Sequence, residues 1–162
     1  MAANSEQIRL VVTAALEQTV RDVQVGMDAA GVNASGRTRA SVRVEHYDKG
    51  VRLLAGGDNT APFPTIEVGR IGGAVPRGFT DILEQWSRDK GLAFETESRR
   101  RSFAYLLGRK IAREGTERSR QPQDVYSTIV RNAANRLAKQ LSEVIVQSAA
   151  HDIEDIAKDF GK

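Results

Sequence analysis

Few side chains of this sequence could do chemistry near neutral pH. There is no cysteine, and the only imidazoles are those of His46 and His151, which lie far apart along the chain. The absence of cysteine excludes disulfides, thiolate chemistry and zinc or iron–sulfur sites with cysteine ligands. Neither histidine has a second histidine at the spacing of metal ligands. We therefore expect neither a metal site nor a cofactor.

Acidic residues accompany His151, and this group suggests a metal site or an acid–base pair. They are Asp152, Glu154 and Asp155. On a helix His151 and Asp155 would share a face, but two ligands do not complete a metal site, and such a pair is more often part of a solvated surface. No serine lies in a Gly-x-Ser-x-Gly elbow, so nucleophilic catalysis has no support. The pattern favours a protein that is not an enzyme.

The glycines of residues 69–73 suggest, at first sight, a loop that cradles phosphate. A P-loop needs a Gly-Lys-Ser/Thr sequence leading into a helix, and a dinucleotide site needs spaced glycines after a strand. Neither pattern is met. We interpret the segment as part of a loop that is flexible or ordered by a partner.

Basic residues concentrate around a predicted helix that begins near Ser98. One interpretation is a surface that faces DNA or an acidic partner, because arginines neutralise phosphates and release counterions. The candidate residues are Arg99, Arg100, Arg101, Arg109, Arg113 and Arg118. The other interpretation is a solvated helix face, which we favour because neither interleaved stacking aromatics nor a nucleic-acid motif accompanies the arginines. The offsetting carboxylates would be those of Glu95, Glu97, Glu114 and Glu117.

The first elements that would position these residues are a helix and a hairpin. Apolar residues three and four apart predict a long amphipathic helix from Ser5, as N-cap, to about Ala30, with Gly31 as its left-handed C-terminal cap. The period then changes to two in residues 42–45 and 51–53, which is typical of half-buried strands. A short loop that ends in glycine joins them, so we predict a β-hairpin.

Glycines and prolines make residues 55–78 a long irregular loop, in which Thr65–Val68 has the composition of a third strand. A loop of this length in a compact domain is usually functional or ordered by a partner. We therefore predict a contact surface for a partner here. Its candidate residues are Phe63, Pro64, Ile66, Val68, Arg70 and Ile71.

Three more helices are predicted in the second half of the chain. Thr80 would cap a short one that ends at Gly91, and Ser98 would begin a second that ends at Gly115 and pairs with the first. A long helix follows from Val125 nearly to the end, and its pattern allows a break near Ala149. The apolar stripes of the two long helices exceed what a small sheet can cover, so part of this surface should meet another subunit.

The resulting prediction is a single α+β domain over residues 1–162. It has a long N-terminal helix, a small antiparallel sheet with a β-hairpin, two short helices and a long C-terminal helix. No apolar run is long enough to span a bilayer, and the N-terminus has no secretory signal pattern, so we expect cytoplasmic synthesis and no membrane contact. The formal net charge of +3 permits attraction to nucleic acid without demanding it.

Five stretches of sequence occur in an order that is typical of one family. They are 34–44 (ASGRTRASVRV), 50–53 (GVRL), 63–70 (FPTIEVGR), 82–91 (with ILEQW and KG) and 104–116 (AYLLGRKIAREGT). In these stretches the chain resembles the small tail-completion or neck proteins of tailed bacteriophages and prophages. The resemblance covers most of residues 34–127, and the terminal helices fit by pattern alone.

The resemblance implies a structural virion protein at the junction of head and tail. Copies of the chain would form a ring around the DNA channel and contact other phage neck and tail proteins, and the family supplies no catalytic or cofactor residue to carry over. Duplex DNA in the channel would be contacted without sequence specificity if the basic helix faced it. The alternative function is a non-sequence-specific nucleic-acid-binding module that uses the basic helix, residues 98–120.

Overall fold

The chain folds as an α+β protein dominated by two long helices, as predicted from the sequence. The computed structural model describes residues 2–32, 36–56, 63 and 65–160, apart from the side chains of residues 2–4, 119 and 159. In order, the elements are α1 (Ala2–Ala29), α2 (Arg37–Ala40), β1 (Arg43–Tyr47), β2 (Gly50–Leu54), α3 (Thr65–Val68), α4 (Phe79–Asp89), α5 (Glu97–Glu114), α6 (Glu117–Arg120) and α7 (Ser127–Phe160).

The two strands form the predicted β-hairpin. β1 and β2 pair antiparallel, in a register that runs from Arg43 opposite Leu54 to Tyr47 opposite Gly50. Both strands contact α1. The hairpin therefore covers one side of the first helix.

The prediction of a third strand at Thr65–Val68 is wrong, because these residues form the helical turn α3. The amide of Gly69 donates to the carbonyl of Thr65 at 3.0 Å, which closes the turn. The strand prediction depended on residue composition, and β propensity is a weak preference that tertiary contacts override. Here the turn places Glu67 in the interior, where it bonds the start of α7.

The predicted glycine ends of three helices are confirmed. Gly31, Gly91 and Gly115 each follow a helix and have φ angles of 62°, 69° and 76°. Glycine adopts a positive φ angle at no steric cost.

The predicted helix starts are wrong. Ser5 lies inside α1, which begins at Ala2. α4 begins after Gly78, so Thr80 is not its cap. α5 begins after Thr96, whose hydroxyl accepts the amide of Arg99 at 3.2 Å, and Ser98 is inside its first turn. These three helices start one to three residues before the polar residue that the sequence pattern favours.

Two of the later helices have nearly the bounds that the sequence predicted, but one was described as short and the other was allowed a break. α5 has 18 residues and is not a short helix. α7 has 34 residues and continues through Ala149 without a break. At a rise of about 1.5 Å per residue, α7 is about 51 Å long.

The main core lies where the end of α1 meets the start of α7. Val23 and Met27 of α1, Val42 and Val125 form its buried centre. The helices run antiparallel, because Gly26 lies against Val125 while Asp22 pairs with Arg136 further along α7 at 3.6 Å. The predicted pairing of α4 with α5 is confirmed as a second packing unit.

Candidate functional site

The start of α7 is capped by a carboxylate from a distant part of the chain. Oε1 of Glu67 accepts the amides of Val125, Tyr126 and Ser127 at 2.9, 2.6 and 2.7 Å. The hydroxyl of Ser127 donates to Oε2 of the same side chain. A helix start has free backbone amides and a partial positive charge. Here one carboxylate accepts the amides that a neighbouring cap residue would usually accept. We call this set of contacts the Glu67 cap.

The environment of the Glu67 cap stabilises the charged carboxylate. Glu67 is 9% exposed, and burial by itself raises the pKa of its carboxyl group. The hydrogen bonds from Ser127 and from the three backbone amides outweigh that burial, so the pKa lies below the ordinary value of 4.5. The cap is therefore ionised and complete at neutral pH.

Arg118 joins three parts of the core, although the sequence suggested it as a residue facing DNA or an acidic partner. Its Nη1 donates to the carbonyl of Ile66 at 2.8 Å, and its Nη2 donates to the carbonyl of Ala30 at 3.1 Å. The guanidinium thereby satisfies carbonyls at the end of α1 and within α3. Its contacts are structural and internal to the chain.

The described second half of the predicted loop is held by its own chain. The amide of Arg70 donates to the hydroxyl of Thr116 at 2.9 Å, and the amide of Thr116 donates to the carbonyl of Arg70 at 2.8 Å. The amide of Gly73 donates to the carbonyl of Ala112 at 2.7 Å. A Cβ atom at Gly72 would lie 2.8 Å from the carbonyl oxygen of Arg113, so glycine permits this close approach.

The residues suggested as a partner surface in this loop are divided between the interior and the exterior. Phe63 and Ile66 pack against the main core, whereas Val68 and Ile71 are exposed and Ile71 is 80% accessible to solvent. Arg70 lies over the ring of Phe79, with 5.8 Å between guanidinium carbon and ring centre. Pro64 lies outside the described residues.

The arginines of α5 are divided in the same way. Arg100 is 13% exposed, donates to the hydroxyl of Ser87 and the carbonyl of Leu92 at 3.2 Å each, and lies over the ring of Phe94. It therefore holds α4, α5 and their connection together. The arginines left at the surface are Arg99, Arg101, Arg109 and Arg113.

The surface of α5 also carries two apolar residues that the sequence did not single out. Tyr105 and Leu106 are both more than half exposed, and the guanidinium of Arg109 lies 5.9 Å from the Tyr105 ring centre. At 100° per residue, Tyr105, Leu106, Arg109 and Arg113 lie on one face of the helix. We call this face the basic face of α5. Plotting the sequence on a helical wheel would have found it.

The end of α7 is an apolar surface that no described part of the chain covers. Every described side chain from Ala149 to Lys158 is exposed, and Phe160 is 89% exposed. Ile153 and Ile156 are also exposed. We call residues 149–160 the distal segment of α7.

The residues with potential for catalysis do not form a reaction centre among the described residues. His46 lies on β1, and His151 lies on the distal segment, where its Nε2 is 3.7 Å from Asp155. The structure brings no three histidine or acidic side chains together as a metal site in the described part of the chain. A surface depression of about 370 Å³ is open to solvent and is lined by Thr80, Ser98, Arg101, Ser102 and Tyr105. These side chains offer no acid–base pair.

Within residues 2–32, 36–56, 63 and 65–160, none of the helices is long and apolar enough to cross a membrane. Comparison with protein-family models, curated proteins and solved structures gives no match to this chain.

Proposed function

We propose that the chain is a structural virion protein of a tailed bacteriophage, a ring-forming tail-completion or neck subunit that joins head and tail. The observation that carries the proposal is the distal segment of α7, whose apolar side chains are not covered by any described part of the chain. Monomeric proteins rarely expose a continuous apolar surface, because water disfavours it, and such surfaces usually mark protein contacts. The sequence resemblance gives the class of assembly in which such contacts would be made.

The internal contacts of the fold fit a structural role. The carboxylate of Glu67 and the guanidiniums of Arg100 and Arg118 are each bonded to the backbone or side chains of other elements. Buried charged groups at an active centre usually point into a pocket, where substrate can meet them. Here they hold helices together. We propose copies of the chain and other neck and tail proteins as the partners, and the virion as the location after synthesis in the bacterial cytoplasm.

Deletion of the gene from the phage or prophage that carries it tests this proposal. We expect filled heads and separate tails in electron micrographs of lysates, with joined particles restored when the wild-type chain is supplied from a plasmid. As a control, the plasmid would carry the same gene with an early stop codon. Infectious, joined particles in the absence of the chain would overturn the proposal.

A second candidate function is nucleic-acid binding without sequence specificity by residues 98–120. The observation that favours it is the basic face of α5, where Arg109 and Arg113 are exposed on one side of the helix. Phosphate contacts of this kind weaken steeply with salt.

The matched test compares two double variants in binding to a short DNA duplex over a range of salt concentrations. Arg109→Glu with Arg113→Glu should remove binding, whereas Arg131→Glu with Lys139→Glu, exposed on α7, should leave most of it. Unchanged DNA packaging and retention in phage carrying the first variant would exclude a role in the channel.

A further inference from the structure

We propose that the distal segment of α7 docks on the basic face of α5 in a second copy of this chain, and that this contact builds the ring. The inference rests on the proposed ring-forming function and names the surfaces that would form the ring. It follows from the position of the apolar side chains on α7, the charges beside them and the reach of the helix.

The exposed apolar side chains of the distal segment do not continue the stripe that packs against α1. The half-buried side chains of α7 beyond its start include Leu137, Leu141 and Val144, whereas Ile145 and all described side chains of 149–158 are exposed. At 100° per residue, Ile153, Ile156 and Phe160 lie about 140° around the helix from the α1-facing stripe. A longer α1 would therefore not cover them. They form a second stripe for a different partner.

Carboxylates border this second stripe. The distal segment has four acidic residues and one lysine, and His151 is its only other titratable side chain. At 100° per residue, Asp152 lies about 70° from the centre of the stripe, and Glu154 and Asp155 lie about 130° from it, one on each side. Asp155 is accompanied by His151 at 3.7 Å and Lys158 at 3.4 Å. The segment is an amphipathic helix whose polar side is mainly acidic.

The basic face of α5 has the complementary arrangement. Tyr105 and Leu106 supply exposed apolar area, with Arg109 and Arg113 beside them on the same face. Residues 97–120 contain eight cations and three carboxylates. Some of these cations already have acidic neighbours, since Arg99 lies 3.3 Å from Glu95 and Arg113 bonds Glu114. The net charge of residues 97–120 nevertheless remains strongly positive. Opposite charges around two apolar stripes favour this pairing over contact between two distal segments, which would repel.

Among the described residues, the distal segment does not cover the basic face of α5 in its own chain, because Ile153 and Leu106 are 66% and 64% exposed. α5 ends beside Arg70, and α7 starts at Glu67, so both helices have one end near α3. From there α7 runs along α1, and Ile153 lies about 39 Å beyond the start of the helix. The pairing is therefore between copies and is head-to-tail. Head-to-tail contacts close into a ring when the rotation between copies permits it.

If the distal segment covers the basic face in this way, Arg109 and Arg113 bind carboxylates of a neighbour and do not face DNA in the channel. The basic face of α5 would then serve an acidic protein partner and not DNA. Association should weaken as salt is added, because part of the attraction is between charges.

Mixing two blocked variants tests the pairing. Ile153→Asp would block the distal segment and Leu106→Asp would block the basic face, and both substitutions fall on exposed positions, so circular dichroism should show wild-type folding. By analytical ultracentrifugation at about 1–500 µM, we expect the wild-type chain to self-associate and each variant alone to associate at least tenfold more weakly. An equimolar mixture should form dimers and nothing larger, because only one of the two contacts remains intact in each pair.

Three outcomes would overturn the inference. Either variant alone could associate as the wild type does, which would place the contact elsewhere while leaving a ring possible. The mixture could remain monomeric. The wild-type chain could also stay monomeric over the whole range, which would make a protein of another kind the occupant of the distal segment. In each case the gene deletion described above decides the proposed function separately.

Discussion

The two ends of α7 are both apolar, yet they differ in what covers them. At its start, Ile129 and Val130 pack against the core that Val125, just before the helix, forms with Val23 and Met27 of α1. At its end, Ile153 is 66% exposed. Helical periodicity is present at both ends, so the pattern alone does not distinguish a buried stripe from an uncovered one. The difference shows that burial in this chain depends on which helix lies opposite. Among the described residues, the end of α7 has no such neighbour.

The largest expected effect on stability comes from truncating an apolar side chain in the core, and the matched truncation is made on the distal segment of α7. Met27→Ala should lower the free energy of unfolding by about 2–5 kcal/mol, because it leaves a cavity in a fully buried site. The matched variant Ile153→Ala should change it by less than about 0.5 kcal/mol, as is usual for surface substitutions. Urea unfolding at a concentration where the chain is monomeric measures both. Similar losses in the two variants would mean that the distal segment is covered within the monomer.

The buried start of α7 also depends on a polar contact, since the charged carboxylate of Glu67 caps it. Glu67→Gln should lower the free energy of unfolding by about 1.5–3 kcal/mol, since the amides of Val125, Tyr126 and Ser127 lose a charged acceptor. Glu95→Gln is the control, as its exposed ion pair with Arg99 is worth about 0–1 kcal/mol. Equal effects of the two variants would contradict the Glu67 cap.

The Glu67 cap also makes the stability of the chain depend on pH. The pKa of Glu67 is lower in the folded chain than its ordinary value of 4.5, so its stabilising contribution is fully present above that value. The contribution is lost as the pH falls through the folded pKa, because the unfolded chain takes up the proton more readily. Between neutral pH and about pH 3, the wild type should therefore lose more stability than Glu67→Gln. Parallel pH curves would show that this carboxyl group has the same pKa in both states.

Local signals in the sequence predicted some parts of the fold and missed others. Gly31 and Gly91 were correctly recognised as helix ends, because a left-handed residue after a helix is a local requirement. Glu67 was missed as a cap because it lies about 60 positions before the amides that it accepts. Sequence patterns report neighbours along the chain, and a cap of this kind depends on how distant segments pack.

The same limit applies to the apolar surface of α7 and the basic surface of α5, because each depends on how distant segments pack. The long helix predicted from Val125 includes Val144 and Ser148 as well as Ile156 and Phe160, but at 100° per residue the two pairs lie on different faces. The predicted basic surface included both Arg99 and Arg100, which are neighbours in the chain but differ in burial, because Arg100 turns towards Ser87. Angular position on a helix can be calculated from the sequence. Which face the rest of the chain covers requires the fold.

The smallest expected effect concerns a single methyl group where α1 approaches α7. In an ordinary helix, alanine is about 0.5–1 kcal/mol more favourable than glycine. A Cβ atom at Gly26 would lie 2.6 Å from the carbonyl oxygen of Val125, so Gly26→Ala should instead destabilise the chain by about 1 kcal/mol or more.

Gly108 provides the matched position on α5. A Cβ atom there would meet only the side chains of Leu83 and Phe79, at 3.4 and 3.5 Å. These are ordinary contacts, so Gly108→Ala should be neutral or stabilising by up to about 1 kcal/mol. Thermal unfolding of both variants measures the difference in sign. Stabilisation by both would mean that the carbonyl of Val125, just before α7, does not approach Gly26 so closely. The buried end of α7 would then be held by its side chains and the Glu67 cap alone.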